Sequence, residues 1–298
     1  MSTPKISRRA SSESHQNRHR FRLARWLGRS WARLHYARRI EPTWLEVNSL
    51  EIPIADLPNS LDGFRIVQLS DFHLKRRLDP NYIRQSVELA NQCKPHLIAL
   101  TGDFVHKGFR YVQPIAELLS ELRAPLGIFA VLGNHDHSVR NALGVRRHRR
   151  LHLEVTLALE AQGIRVLRNE AVTLDHRGAR LVLAGVDDLW SRRCDVRKAL
   201  DAVPAQSPTI VLAHNPRTIE LMEGHRCDLM LSGHTHGGQV NLALLGTAML
   251  GRRKRRFRAG LYQHNGKYLY VNKGVGYGIA LRYRTRPEVA LLSLALPK

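Results

Sequence analysis

Five short polar blocks contain the residues of this chain that are suited to metal chemistry. The blocks are Asp71-Phe72-His73, Gly102-Asp103, Gly133-Asn134-His135-Asp136, His214-Asn215 and Gly233-His234-Thr235-His236. Neutral imidazoles give affinity for divalent metal ions, carboxylates offset the charge of the ions, and one carboxylate can bridge two of them. Two ions about 3.5–4 Å apart can hold a phosphoryl group and lower the pKa of a water between them. The blocks together therefore indicate hydrolysis of phosphate esters.

A mostly apolar run of strand length precedes each polar block. The runs cover residues 64–69, 97–100, 128–132, 210–213 and 229–231. Apolar runs bounded by glycine and polar residues predict buried strands, and open α/β sheets bind ligands at the carboxyl ends of their strands. Helices are predicted at 80–92, 112–122, 151–161 and 216–223. This alternation predicts a layered α/β architecture in which the blocks converge on one rim.

The ordered series of blocks resembles the signature of the calcineurin-like metallophosphoesterases. The stretches Leu69-Ser-Asp-Phe-His73, Gly185-Val-Asp-Asp188 and Gly233-His-Thr-His-Gly-Gly-Gln239 resemble the small single-domain bacterial branch of that family in particular. A single block would be weak evidence, but the whole ordered set is specific. The resemblance runs from about residue 61 to the last residue. It implies an α/β fold, a four-layer sandwich of two mixed β-sheets flanked by helices.

The resemblance also implies a role for each polar residue. One divalent ion would be held by Asp71, His73, Asp103 and His236, and the other by Asp103, Asn134, His214 and His234, with Asp103 as the bridge. His135 would face the substrate, contacting a phosphate oxygen or donating a proton to the leaving alcohol, and Asp136 could orient its imidazole. Water would attack as a hydroxide that bridges the metals. These ligand types suit Mn, Fe, Zn or Co, so the sequence leaves the metal open.

Other histidines and aspartates near the blocks have less specific interpretations. We expect His137 to be an exposed loop residue and His106 to support the site or lie on the surface, rather than to bind metal. His152, beside arginine-rich sequence, is expected to be solvated. Asp187 and Asp188 follow another apolar run, and the metal set is already full. A turn-stabilising or supporting role is therefore expected for both.

The composition predicts one folded catalytic domain, at residues 41–298. The chain has 298 residues, of which 43% are hydrophobic, so it can bury one substantial core. Three cysteines, Cys93, Cys194 and Cys227, contain no Cys-x-x-Cys pair. They indicate neither a thiolate zinc site nor a disulfide framework, which fits a reducing compartment.

Residues 1–40 form a basic N-terminal arm. The net charge of the chain is +22, and this arm has eleven Lys or Arg against one acid, Glu13. Its first twenty residues are polar and basic, and we expect them to be disordered. An amphipathic helix is predicted around 21–38, with tryptophans on one face and arginines on another. Since the chain has no run of about twenty apolar residues, it has no predicted transmembrane helix.

The arm admits three interpretations. A basic helix with tryptophans can lie in the interface of an anionic membrane. It can instead pack its tryptophans on the catalytic domain, or bind nucleic-acid backbone. Further basic clusters, at 252–258 and 282–286, follow the last metal block and could attract an anionic substrate or surface. We favour a cytoplasmic protein, bound peripherally at the inner face of the membrane.

Three functions remain open from the sequence. The first is a phosphodiesterase or pyrophosphatase on a lipid-linked or nucleotide-linked substrate, and the resemblance suggests hydrolases of UDP-diacylglucosamine among bacterial relatives. The second is a nuclease, which the metal pair and the positive charge would support, although no aromatic-basic recognition motif is evident. Nucleic acid is therefore the less favoured partner. The third is a non-catalytic metal-binding protein of the membrane surface, which the intact ligand set argues against.

Overall fold

The apolar runs of the sequence pair into two mixed sheets. The computed structural model describes residues 25–26, 28–139, 143, 147–240 and 256–297. The first sheet has the strand order β1-β12-β2-β3-β4-β5. Its strands are β1 (Glu46–Pro53), β2 (Arg65–Leu69), β3 (Leu97–Leu100), β4 (Ile128–Ala130), β5 (Arg165–Val166) and β12 (Glu288–Ala295). Strands β2 to β5 are parallel, whereas β12 is antiparallel to β2 and parallel to β1.

The second sheet has the strand order β10-β11-β9-β8-β7-β6. Its strands are β6 (Glu170–His176), β7 (Ala179–Gly185), β8 (Thr209–Leu212), β9 (Leu229–Ser232), β10 (Gly260–His264) and β11 (Lys267–Val271). Strands β7, β8, β9 and β11 are parallel, and antiparallel strands close both edges.

Helices cover the outer faces of both sheets. They are α2 (Pro80–Gln92), α3 (Val112–Leu119), α4 (Leu151–Glu160) and α5 (Val196–Leu200), whereas α1 (described at 25–26 and 28–35) precedes the first strand and extends into solvent. A π-helix, Tyr36–Ile40, continues α1, and single 3-10 turns lie at Glu41–Thr43, Asn59–Leu61, Pro216–Leu221 and His236–Gly238. The predicted helix at 216–223 is thus a 3-10 helix, which begins at Pro216 after an Asn215 cap.

Three apolar clusters separate the four layers. Successive side chains along each central strand point to opposite faces of its sheet, and those of Ile66, Leu97 and Ile210 lie between the two sheets. Val67 and Ile98 face α2, α3 and α4 on one outer side. The third cluster lies between the second sheet, α5 and the 3-10 turn Pro216–Leu221. The predicted sandwich of two mixed sheets flanked by helices is therefore confirmed.

The carboxyl ends of the parallel strands of both sheets meet at one rim. Gln68, a polar residue in the mostly apolar β2, is fully buried there. Its Nε2 atom donates to Thr101 Oγ1 at 2.9 Å and to the Ser232 carbonyl of the second sheet at 3.0 Å. The side chain therefore ties the two sheets together directly beneath the polar blocks.

The described part of the N-terminal arm, residues 25–26 and 28–40, is helical. Residues 1–24 and Leu27 of the arm, and residues 252–255 of the downstream basic cluster, lie outside the described residues. Among the described helices, none combines the length and apolarity needed to cross a bilayer.

Candidate metal centre

All seven candidate metal ligands lie in one site, just beyond the ends of strands β2, β3, β4, β8 and β9. Their side chains are buried or nearly so. They are Asp71, His73, Asp103, Asn134, His214, His234 and His236. The fold thus brings together residues that are up to 165 positions apart, from Asp71 to His236.

The first group of ligand atoms comes from Asp71, His73 and His236. The Nε2 atoms of His73 and His236 lie 2.9 Å apart. Asp71 Oδ1 lies 3.4 Å from His236 Nε2 and 3.8 Å from His73 Nε2. One nitrogen from each ring and one carboxylate oxygen therefore face a common point.

The second group comes from Asn134, His214 and His234. His234 Nδ1 lies 3.0 Å from Asn134 Oδ1 and 3.3 Å from His214 Nε2. The Asn134 side-chain nitrogen donates to the Val139 carbonyl at 2.6 Å. That hydrogen bond fixes the amide so that its oxygen, rather than its nitrogen, faces the imidazoles.

Asp103 lies between the two groups. Its Oδ2 atom is 3.4 Å from His73 Nε2 on one side and 3.3 Å from His214 Nε2 on the other. Its Oδ1 atom accepts the backbone N–H of His135 at 2.8 Å. One oxygen is therefore held by the backbone, and the other is free to contact both groups.

Neighbouring groups orient the ligand side chains. Ser70 Oγ donates to Asp71 Oδ2 at 2.7 Å, and the His234 N–H donates to the same oxygen at 2.9 Å. The Nδ1 atom of His214 donates to the Thr101 carbonyl at 2.7 Å, which turns the Nε2 atom toward Asp103. Such outer contacts fix the tautomer and ring orientation of a metal-binding histidine.

The backbone of the site is held in an unusual conformation. Asp71, His73, Asp103, His234 and His236 all have positive φ angles, between 47° and 72°. Few residues other than glycine adopt this region, and such strain concentrates at functional sites. The left-handed turns let each chain segment leave its strand and direct a side chain back to the shared point.

Glycines allow the polar loops to approach one another. A Cβ atom on Gly133 would lie 2.2 Å from Asp103 Oδ1, and one on Gly233 would lie 2.0 Å from Ser70 Oγ. No side chain fits at either position, which explains the glycine in the Gly-Asn-His-Asp and Gly-His-Thr-His blocks.

The charge state of the site suits divalent cations. Burial lowers the pKa of His234 to about 3 and holds the pKa values of His73 and His236 well below the usual range. These rings are therefore neutral, as metal ligands must be. Burial acts to raise the pKa of Asp103, but nearby His214 and His135 bring it well below the usual range. Burial acts to lower the pKa of His214, but the neighbouring Asp103 raises it to about 10, so this ring must lose a proton to bind metal. With that proton lost, a buried carboxylate among neutral imidazoles fits a divalent cation of the Mn, Fe, Zn or Co type.

The structure corrects the role predicted for Asp136. The His135 imidazole does not contact Asp136, since its Nδ1 atom lies 2.9 Å from the His106 carbonyl oxygen. The Asp136 carboxylate instead accepts the backbone N–H groups of Asp103, Phe104, Val105 and Gly133, at 2.8–3.3 Å. Burial raises the pKa of this carboxyl, and the amide donors act in the opposite direction. Asp136 therefore shapes the loop that carries Asp103.

His137 and His152 also differ from expectation. His137 is buried, not an exposed loop residue, and its Nε2 atom lies 2.7 Å from Asp187 Oδ1. The His152 ring stacks on His137 with centroids 4.9 Å apart, so His152 is buried rather than solvated. Asp187 also accepts two hydrogen bonds from Arg168, at 2.8 and 3.2 Å. The supporting role predicted for Asp187 agrees with these contacts.

Three residues at the site have no clear signal in the sequence. The Trp190 ring meets the His234 ring edge to face, with centroids 4.4 Å apart. His106 lies beside His73 and His135 and could offer a further ligand atom. Arg282 is completely buried, and its guanidinium donates to the carbonyls of Gly274 and Gly276. A lone tryptophan or arginine in a loop does not reveal such contacts before the fold is known.

Known proteins resemble this chain over most of its length. The sequence model of the calcineurin-like phosphoesterases matches residues 64–238, which contain all seven candidate ligands. Phosphodiesterase YaeI of Escherichia coli is 34% identical over 262 residues, covering 88% of this chain and 91% of that protein. The metallophosphoesterase YkuE of Bacillus subtilis is 32% identical over 263 residues, covering 87% and 88%.

A more distant relative has a defined substrate in its name. UDP-2,3-diacylglucosamine pyrophosphatase LpxG of Chlamydia trachomatis is 27% identical over 300 residues, covering 86% of this chain and 91% of that protein. The similarity therefore extends beyond the metal blocks to nearly the whole of each relative.

Proposed function

The chain belongs to the calcineurin-like phosphoesterase family and is a metal-dependent phosphoester hydrolase, and from that premise we propose that it cleaves phosphodiester or pyrophosphate bonds with two divalent ions. The first ion would be held by Asp71, His73, Asp103 and His236, and the second by Asp103, Asn134, His214 and His234. Mn, Fe, Zn and Co all suit these ligands.

The position of Asp103 carries this proposal. A single oxygen atom of its carboxylate lies 3.3–3.4 Å from an imidazole nitrogen of each ligand group. A carboxylate can share its negative charge between two cations, whereas a neutral imidazole cannot. The tight backbone hydrogen bond to its other oxygen supports a fixed bridge rather than a mobile side chain.

When bound, the two ions clamp a phosphoryl group and make hydroxide available near neutral pH. The protein then has to orient the ester and protonate the leaving oxygen. His135 is suited to this task, because its ring is partly exposed while its Nδ1 atom is anchored by the His106 carbonyl. If Nδ1 donates that hydrogen bond, Nε2 contacts a phosphate oxygen or, once protonated, supplies the leaving group with a proton.

The substrate is proposed to be lipid-linked or nucleotide-linked. YaeI is named a phosphodiesterase and LpxG a pyrophosphatase of a lipid nucleotide, which supports a substrate that carries a second group on the phosphate. The excess of basic residues in the N-terminal arm supports an anionic membrane surface as a partner.

Hydrolysis of bis(p-nitrophenyl) phosphate with added Mn²⁺ tests the proposal. The control is the Asp103→Asn variant, purified in the same way, which should lose bound metal because a shared negative charge is removed. We expect turnover by the wild type and none by the variant, with metal analysis showing two equivalents only in the wild type. Equal turnover by both proteins, or two full equivalents in the variant, would overturn the bridging role.

A further inference from the structure

We propose that α1, Trp44 and the loop 279–286 form one docking face for an anionic lipid bilayer, directly beside the metal centre. This inference rests on the proposed function and deepens it, because it implies that the phosphoester is presented to the site at a membrane surface. The docking face is defined by these three segments together with the π-helix Tyr36–Ile40, which continues α1.

The apolar side chains of the docking face have no cover from the described part of the protein. Trp26 and Trp31 are 63% and 68% exposed, and Ile279 is 71% exposed. Leu34 and Ile40 on the same helical segment are also exposed. Among the described residues, α1 therefore does not bury its tryptophans against the catalytic domain. Tryptophan and aliphatic side chains presented together suit the interface of a bilayer, where the rings lie at the headgroup level.

The charges of the docking face have one sign. Its helical part contains Arg25, Arg29, Arg33, Arg38 and Arg39. The first acid that follows them is Glu41, and it is buried. Arg284 is exposed in the loop, and the Arg286 guanidinium lies 3.7 Å from the centre of the Trp44 ring. Tryptophan rings enter a bilayer at the level of the lipid headgroups, where the phosphates also lie. Arginines beside exposed tryptophans can therefore pair with those phosphates.

Two backbone contacts join the arm to the loop. The Arg282 N–H donates to the Ala37 carbonyl at 2.8 Å, and the Thr285 N–H donates to the Glu41 carboxylate. Ala37 and Glu41 are both buried, although the arginines between them are exposed. The π-helix therefore anchors the arm, while α1 extends from it with its side chains in solvent.

The same loop contacts the metal centre on its other side. The Tyr283 N–H donates to the Gln239 carbonyl at 2.9 Å, three residues after the candidate ligand His236. The Arg282 guanidinium holds the carbonyl of Gly276, whose N–H donates to the Asp71 carbonyl at 2.8 Å. Loop 279–286 of the docking face is thus hydrogen-bonded to segments that adjoin the candidate ligands Asp71 and His236, so a bilayer bound there would lie beside the metal site.

A bilayer fits these observations better than the other partners. Nucleic acid would use the arginines but would leave Leu34, Ile40 and Ile279 exposed to water. A second copy of the chain would bring a further net charge of +22 against this basic face. An anionic bilayer would pair with the arginines of the docking face and would also remove its exposed apolar side chains from water.

Sedimentation of the full chain with vesicles tests the inference. The vesicles contain phosphatidylglycerol and phosphatidylcholine in equal parts, with phosphatidylcholine alone for comparison. The test variants are Ile279→Glu and the double change Trp31→Glu with Ile279→Glu. The matched control is Leu157→Glu, which places the same charge on an exposed leucine of α4. All proteins are also assayed with bis(p-nitrophenyl) phosphate, which needs no membrane.

We expect the wild type and Leu157→Glu to bind anionic vesicles alike, and the double variant to bind about tenfold or more weakly. Unchanged turnover of the soluble ester in every protein would show that the metal site is intact. Equal vesicle binding by the double variant and the control would overturn the docking face, whereas failure of the soluble assay would count against the proposed function. Tighter binding of the wild type to duplex DNA than to anionic vesicles, reduced in the double variant, would also overturn the bilayer as partner.

Discussion

The Nε2 atom of His137 lies 2.7 Å from Asp187 Oδ1, and this contact joins the loop after β4 of one sheet to the loop after β7 of the other. Arg168 holds the second oxygen of Asp187 at 2.8 Å. The pair is buried beside the segment that carries Asn134 and His135. The cross-sheet contact therefore holds the loops of the two sheets in a fixed position relative to each other at the site.

Replacement of Asp187 by alanine should destabilise the protein by about 3 kcal/mol, because His137 and Arg168 would lose a buried charged partner. The free energy of unfolding in urea, measured with metal present, gives the change. Asp201→Ala removes an exposed carboxylate and serves as the control, with an expected loss under about 1 kcal/mol. Similar losses in both variants would mean that the Asp187 contacts do not stabilise the fold.

Asp136→Asn should weaken metal binding although Asp136 is not a proposed ligand. The asparagine side chain has one acceptor oxygen, and its NH₂ group would face backbone N–H donors now bonded to the carboxylate. The cost is about 2–3 kcal/mol, and the loop that carries Asp103 would shift. Metal content after gel filtration measures the effect, and full occupancy would argue against this role.

Gly133→Ala should likewise lose metal, for a steric reason. The added methyl group would lie 2.2 Å from the Asp103 carboxylate oxygen, so one of the two loops has to move. Gly28→Ala is the matched control, because nothing lies within 4 Å of its Cβ position. We expect the control to keep both metal ions. Metal retention by Gly133→Ala would show that the loops adapt without disturbing Asp103.

His135→Ala should keep both metals and lose activity. We expect a fall of about 10²–10⁴-fold in kcat on bis(p-nitrophenyl) phosphate, as is usual when a general acid is removed. Metal analysis of the same sample separates this effect from ligand loss. Turnover at the wild-type level would remove His135 from the proposed chemistry.

His152 should make stability depend on pH. Burial, together with His137, Arg193 and Arg168, lowers the pKa of His152 from 6.5 to about 4, against an opposing effect of Asp187. Between these values the unfolded chain binds a proton that the folded protein does not, so acidification from pH 6.5 to 4 favours unfolding. His152→Phe keeps an aromatic ring against His137 but removes the imidazole that binds a proton on unfolding. The unfolding free energy should therefore fall less between pH 7 and pH 5 in the variant than in the wild type, and equal falls would contradict the assignment.

The sequence predicted the strands and the polar blocks because both depend on local patterns. Apolar runs bounded by glycine and polar residues located strands such as β3 (Leu97–Leu100), and the helix predicted at 80–92 has the same bounds as α2. The ordered blocks predicted the family, which the match over residues 64–238 confirms. The ligand assignments themselves remain predictions that metal analysis can test.

Side-chain partners across the two sheets could not be predicted in this way. The family resemblance implied that Asp136 orients His135, but the left-handed turn at Asp103 brings three backbone amides to the Asp136 carboxylate, which also accepts from Gly133. His137 looked like a loop residue because its partner, Asp187, is fifty positions away. Such contacts depend on sheet packing, which local periodicity does not encode.

The sequence by itself determined which residues can bind metal, since imidazole, carboxylate and amide groups occur in a fixed order after apolar runs. Tertiary structure alone decided how those groups face one another, because positive φ angles and side-chain-free glycines at 133 and 233 set the approach of the loops. It also decided the place of the basic arm. Its helix pattern was evident in the sequence, but only the folded chain joins Ala37 to the loop beside His236 and leaves the tryptophans in solvent.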